Sequence, residues 1–225
     1  MADVTCWTLI ESAADGDRAA RDAFVERYLP VVRAYLRARW RNRVPESELE
    51  DAVQEVFVEC LRDEGVLQRN RARRGAGFRA YLFGAVRNVA LRAEDARSSK
   101  IDAPRTDSFD ADGLAAGDET SSRAFDRAWA SAIVREAAER QKEAAKSEGE
   151  AALRRVELLR LVFQEERGIA DIARDWDVQP EALHREYAKA RAEFAAALKG
   201  VVAFHVTESD AAVDCECRDL MSLLG

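Results

Sequence analysis

The stretch Glu50–Phe57, EDAVQEVF, sets apolar Val53, Val56 and Phe57 at helical spacing and leaves Asp51 and Glu55 one turn apart on the other side. Cys60 and Leu61 continue the apolar stripe. Ser47 with Glu50 three residues on has the pattern of a capping box, and Gly65 is a natural stop. An amphipathic helix of this kind needs partners, and both neighbours supply them. Upstream, Asp17 is placed to cap a helix in which Phe24, Tyr28, Val31, Val32, Tyr35 and Leu36 recur at three and four positions; it should end near Asn42–Pro45. Downstream, after the basic turn RARRGAG, the run FRAYLFGAVRNVAL sets Phe78, Leu82, Ala85, Val86 and Val89 on one side. These three helices suffice to bury a small core.

The remaining text agrees with an all-α protein. The chain has 225 residues, 48% of them apolar and 34% charged, with four prolines and eleven glycines; strong helix formers dominate and runs of β-branched residues are missing. From Ser98 to about Gly117, SSKIDAPRTDSFDADGLAAG replaces periodicity with Pro, Gly, Ser and Asp, the composition of a flexible linker. Helical text resumes near Phe125 with Trp129, Ile133 and Val134. It continues past Gly149, which either interrupts or only weakens the helix, into Leu153, Val156, Leu159, Leu161 and Val162. Gly168 then separates two shorter segments, IADIARDW and PEALHREYAKARAEFAAAL, and Pro180 fits a first helical turn. The expected organisation is two small helical domains, 10–100 and 125–200, joined by a linker at 101–124 and followed by an extension at 201–225.

Charge is segregated. The net charge of −7 argues against a protein that coats nucleic acid indiscriminately, yet Arg71–Lys100 carries eight basic residues against Glu94 and Asp95. That segment is the candidate for an anionic partner. Two histidines, no glycine-rich phosphate loop and no carboxylate set beside a nucleophile leave no catalytic constellation, so no enzyme is expected. His205, Cys215 and Cys217 match no usual zinc spacing, and neither metal nor cofactor is expected. The longest apolar runs, Tyr28–Val32 and Leu158–Phe163, fall far short of a bilayer span, and MADVTCWTLIE lacks a basic start before an apolar core. The expected location is the cytoplasm, with the four cysteines reduced.

Ile172, Ala173 and Trp176, a tight connection at Asp177–Val178, then Pro180, Leu183 and Tyr187 have the pattern of a helix-turn-helix. His184, Arg185, Glu186, Lys189 and Arg191 are its polar candidates near DNA. An ordinary helical hairpin with solvated arginines has the same pattern.

Together, GDRAARDAFVERYLPVVRAYL, EDAVQEVFVECL and FRAYLFGAVRNVAL resemble region 2 of the extracytoplasmic-function sigma factors of bacterial RNA polymerase, and RGIADIARDWDVQPEALHREYAKARAEF resembles their region 4. The resemblance covers roughly residues 10–100 and 125–200. It implies that Asp51, Gln54 and Glu55 dock on the clamp helices of the polymerase β′ subunit, with the β flap as a further core contact. It also implies that Arg79, Tyr81, Arg87, Asn88 and Arg92 meet the minus-ten element, although core packing is an equal reading for Tyr81. His184, Arg185, Lys189 and Arg191 would meet the minus-thirty-five element, and an anti-sigma protein is a further partner the resemblance suggests. The chain departs from the family in RAEDARSSK, where an arginine run is frequent, in Glu186, where a basic residue is common, and in Asp177, where glycine is frequent. The alternative is a helix-turn-helix regulator or a sigma-like adaptor that does not initiate transcription. The tail after Gly200 carries Val213, Leu220, Met221, Leu223 and Leu224, enough for a short helix that either latches onto a domain or caps the second core.

Overall fold

The computed structural model describes residues 6–41, 43–61, 78–100, 111–206 and 209–224, and every regular element among them is an α-helix. They are α1 (Cys6–Ala14), α2 (Arg18–Trp40), α3 (Glu46–Leu61), α4 (Phe78–Lys100), α5 (Ala111–Glu148), α6 (Glu150–Phe163), α7 (Ile169–Asp175), α8 (Pro180–His205) and α9 (Asp210–Ser222). Contacts divide the chain into unit 1, Met1–Ala132 with Phe204–Thr207 and Leu220–Gly225, and unit 2, Ile133–Ala203 with Glu208–Asp219. The RARRGAG turn, the stop at Gly65 and positions 101–110 of the expected linker lie outside the described residues.

In unit 1, the Asp17 carboxylate accepts from the Ala19 N–H at 3.2 Å and caps α2 as the sequence suggests. The helix runs through Pro30, a residue that costs a helix interior about 3 kcal/mol. Tyr28, Val31 and Val32 flank it and are all but fully buried, and burying each such side chain contributes about 1.5–3 kcal/mol, so packing wins. Arg41, left-handed at φ 47°, ends the helix.

The expected capping box at the start of α3 is not formed. The helix already begins at Glu46, with the Leu49 N–H bonded to the Pro45 carbonyl at 3.1 Å, so Ser47 lies inside the first turn. The Glu50 carboxylate accepts instead from Arg33 Nη2 at 2.6 Å, a charge-assisted bond stronger than a backbone cap. Arg37 pairs with Glu46 further along, so α2 and α3 run antiparallel. On the other flank Glu48 faces Arg97, and Glu55 and Glu59 face Arg92, so α4 runs antiparallel to α3.

Aromatic rings fill the core of unit 1. Phe24, Tyr28 and Phe78 meet at 4.8–6.0 Å between centroids, Trp129 stacks on Tyr28 at 5.9 Å, and Phe125 joins Tyr35 at 5.7 Å. Helix α1, which the sequence pattern did not mark, buries Cys6, Ile10, Ala13 and Ala14 here. At the other end of the chain, His205 packs on Trp129 at 5.0 Å and Arg27 lies over the Phe204 ring at 4.1 Å.

The stretch expected to be a linker is helical from Ala111 onward. Two glycines cost a helix about 1 kcal/mol each, and the alanine, leucine, glutamate and arginine around them favour it. Phe125 and Trp129 belong to unit 1, and the contact boundary falls between Ala132 and Ile133 rather than before Phe125.

In unit 2, Gly149 breaks the helical path between α5 and α6 at φ 103°, a backbone that side chains rarely adopt. Leu158, Leu161, Ile172, Ala173 and Leu183 form the core, with Trp176, Val178 and Tyr187 packed against it. The turn between α7 and α8 is tight because Asp177 adopts φ 51°, which lets the Val178 N–H reach the Ala173 carbonyl at 3.0 Å. Buried Gln141 donates to the Ala190 carbonyl at 3.1 Å, and Lys199 pairs with Asp214 of α9 at 2.7 Å.

Candidate functional site

The acidic face of α3 is present in the folded chain. Asp51, Gln54 and Glu55 are exposed, and Val58, 58% exposed, extends the same face by one turn; Leu49, Val53, Val56, Phe57 and Cys60 turn inward. Burial pushes the Cys60 thiol up to about 12, as befits a packing residue. Glu55 faces Arg92 at 3.7 Å, while Asp51 makes no ion pair among the described residues. An apolar Val58 beside carboxylates is an arrangement suited to a partner that is both basic and apolar.

Helix α4 divides the residues expected to meet nucleic acid. Tyr81, Asn88 and Arg92 come together along one open groove of about 630 Å³, with Glu59 on its α3 wall and Gly84 in its floor. A side chain at Gly84 would meet nothing within 4 Å, so its absence widens the groove. Tyr81 is half-buried, 6.0 Å from Phe78 between centroids, and serves core and groove together. Arg79 is drawn aside by Asp126 at 2.5 Å, and half-buried Arg87 does not line the groove.

At the far ends of α2 and α4, Glu94 accepts from Arg39 Nε at 2.7 Å, Arg39 Nη2 at 2.9 Å and the Trp40 indole at 2.8 Å. Burial works to raise this carboxyl, but the bonds from Arg39 and Trp40 outweigh it and hold it below the ordinary glutamate range. Sequence alone gives no sign of this arrangement, since the partners are far apart in the chain.

In unit 2, His184, Arg185, Lys189 and Arg191 all stand exposed on α8, with Leu183 and Ala190 buried on its other side. Glu186 is turned to protein cations: Lys189 donates to it at 3.0 Å and Arg155 approaches at 3.6 Å. The bond from Lys189 holds its carboxyl below the usual range. Arg155 also meets Glu193 at 2.7 Å and Glu148 at 3.5 Å, and Arg154 lies over the Trp176 ring at 4.5 Å. Neither arginine stands out in the sequence beyond the pair RR.

Among the described residues, no group of three or more His, Cys, Asp and Glu could hold a metal ion, and no helix is long and apolar enough to cross a membrane. Residues 24–98 match the family model for Sigma-70 region 2. That segment is similar to Sigma-70 region 2. The match runs from Phe24 inside α2 through α3 and along α4, so it contains the acidic face and the Tyr81–Asn88–Arg92 groove; unit 2 lies outside it. No curated protein and no solved structure matches the chain.

Proposed function

We propose that this chain is a sigma factor of the extracytoplasmic-function type, one that binds RNA polymerase core and directs promoter recognition without catalysis of its own. The observation that carries the reading is the face Asp51–Gln54–Glu55–Val58, exposed within the segment that matches sigma region 2 and backed by a fully packed apolar stripe. Its carboxylates suit basic residues of the β′ clamp helices. Asn88, Tyr81 and Arg92 offer an amide, an aromatic face and a guanidinium to an opened minus-ten strand, the groups that single-strand capture uses. The exposed cations of α8 are the corresponding surface for the minus-thirty-five element, and the β flap and an anti-sigma protein complete the partners of this reading. Its setting is the cytoplasm, where polymerase works.

The test is capture of core polymerase by the full chain, followed by run-off transcription on genomic fragments. An interfacial charge that loses its partner costs about 2–5 kcal/mol when buried. Asp51→Arg with Glu55→Arg should therefore abolish core binding while circular dichroism stays unchanged. Unaltered core affinity would overturn the assignment and favour a helix-turn-helix regulator, which has no use for this face; core binding without transcripts would favour an adaptor.

A further inference from the structure

A second cationic groove opens at the C-terminal ends of α2 and α4, about 300 Å³ in volume and lined by Arg39, Trp40, Arg41, Arg43, Glu94 and Arg97. Glu94, the one carboxylate in this lining, is committed to Arg39 and Trp40 through the three hydrogen bonds described above. Arg39 is thereby neutralised, whereas Arg41 and Arg43 are not. The Arg97 guanidinium lies over the Trp40 ring at 4.4 Å, its Nε donates to the Ala93 carbonyl at 3.1 Å, and Glu48 comes only to 3.9 Å. Its Nη2 is buried without a hydrogen-bond partner. Arg41 and Arg43 are exposed and make no ion pair among the described residues.

A buried guanidinium N–H lacking an acceptor is costly, and planar guanidinium forks match the oxygens of a phosphate. We propose that this groove is a second phosphate-binding site of region 2, taking neighbouring backbone phosphates of duplex DNA, one for each of Arg41, Arg43 and Arg97. The proposal rests on the promoter-binding reading above. The groove is open, and Arg97 covers the Trp40 face on which a base would stack, so it is built to meet charge rather than sequence. Arg97 lies nine residues beyond Asn88, about 13 Å along the same helix, so both grooves fall within one DNA footprint.

The experiment measures binding of the full chain to short duplexes of unrelated sequence across a salt series. Each neutralised phosphate contributes about 0.9 to the slope of log K against log salt. Arg41→Asn, which keeps a residue tolerant of the left-handed backbone, combined with Arg43→Ala should make the slope shallower by about 2 on every duplex, with core-polymerase binding and helicity unchanged. Adding Arg97→Gln should remove about one more unit. An unchanged slope, a loss confined to one sequence, or a wild type that ignores duplex even at low salt would each overturn the proposal. Inorganic tripolyphosphate provides the second arm: if it saturates the wild type and not the double variant while duplex slopes stay equal, the ligand is a free polyphosphate and the DNA assignment is wrong. Loss of the region 2 reading itself would register separately, as failure of wild-type chain to bind core.

Discussion

Arg92 stands 3.7 Å from Glu55 and 3.5 Å from Glu59, so a cation on the groove of α4 faces a carboxylate on the acidic face of α3. The arrangement ties the two candidate surfaces of unit 1 together through one exposed guanidinium. Exposed pairs of this kind contribute about 0–1 kcal/mol to stability. Glu55→Gln should therefore leave the urea midpoint nearly unchanged, yet remove one of the two carboxylates facing Arg92 and strengthen binding of the chain to single-stranded DNA. Arg92→Ala should weaken that binding with an equally small effect on folding. A large loss of stability in either variant would mean that the pair is structural rather than shared between surfaces.

Glu94 makes unit 1 sensitive to acid. Its carboxyl is held below the ordinary range by Arg39 and Trp40, so its contribution to stability is present above the unfolded-state pKa of about 4.3 and is lost as pH falls through the lower folded value. Thermal melts of wild type and Glu94→Gln should differ at neutral pH and converge in acid. Parallel curves down to low pH would remove Glu94 from the acid response.

The end of α8 is part of the packing of unit 1. Cys6 Sγ donates to the His205 carbonyl at 3.8 Å, Phe204 sits under Arg27, and burial pushes the Cys6 thiol up to about 11. Ending the chain at Ala203 should lower the melting temperature and let iodoacetamide reach Cys6, which in the full chain should react far more slowly than exposed Cys215. Peptide mass spectrometry after a timed pulse reads both sites. If Cys6 stays protected and the melt is unmoved, the tail is not part of this packing.

What could be read from the sequence follows from the range of the interactions. The stripe of Val53, Val56 and Phe57 and the Asp17 cap depend on neighbours a few residues away, and both are where periodicity puts them. Glu50 deserted its expected cap because Arg33, on another helix, binds it more strongly; no local pattern encodes that competition. Phe125 and Trp129 illustrate the same limit, since a helical repeat reveals a buried face but not which core buries it. In the groove, Tyr81, Asn88 and Arg92 share a face as helical spacing requires, whereas Arg79 is taken by Asp126, 47 residues away in the chain. Arg97 was legible only as one charge in a basic segment; its role depends on Trp40 and Glu94 being folded beside it.

Helix α8 sets its exposed cations at different distances from its N-terminus. The helix starts at Pro180, and helices that read the major groove aim their N-terminal residues at base edges, which favours Arg185 over Lys189 and Arg191 for direct contact. Arg185 is exposed and makes no ion pair among the described residues, whereas Lys189 is engaged by Glu186 and Arg191 lies 5.8 Å from the Tyr187 ring. Glu186, the residue most at odds with a DNA surface, is occupied by Lys189 and Arg155, so its charge is partly cancelled within the protein. Arginine can bridge guanine O6 and N7, and losing such a contact costs about 1–3 kcal/mol at one position, whereas losing a phosphate contact weakens all sequences alike. Arg185→Ala should therefore change which upstream elements are selected from a randomised promoter library, and Lys189→Ala should lower total output without changing the selected sequence. Identical selected sequences for wild type and Arg185→Ala would exclude Arg185 as a base-reading residue.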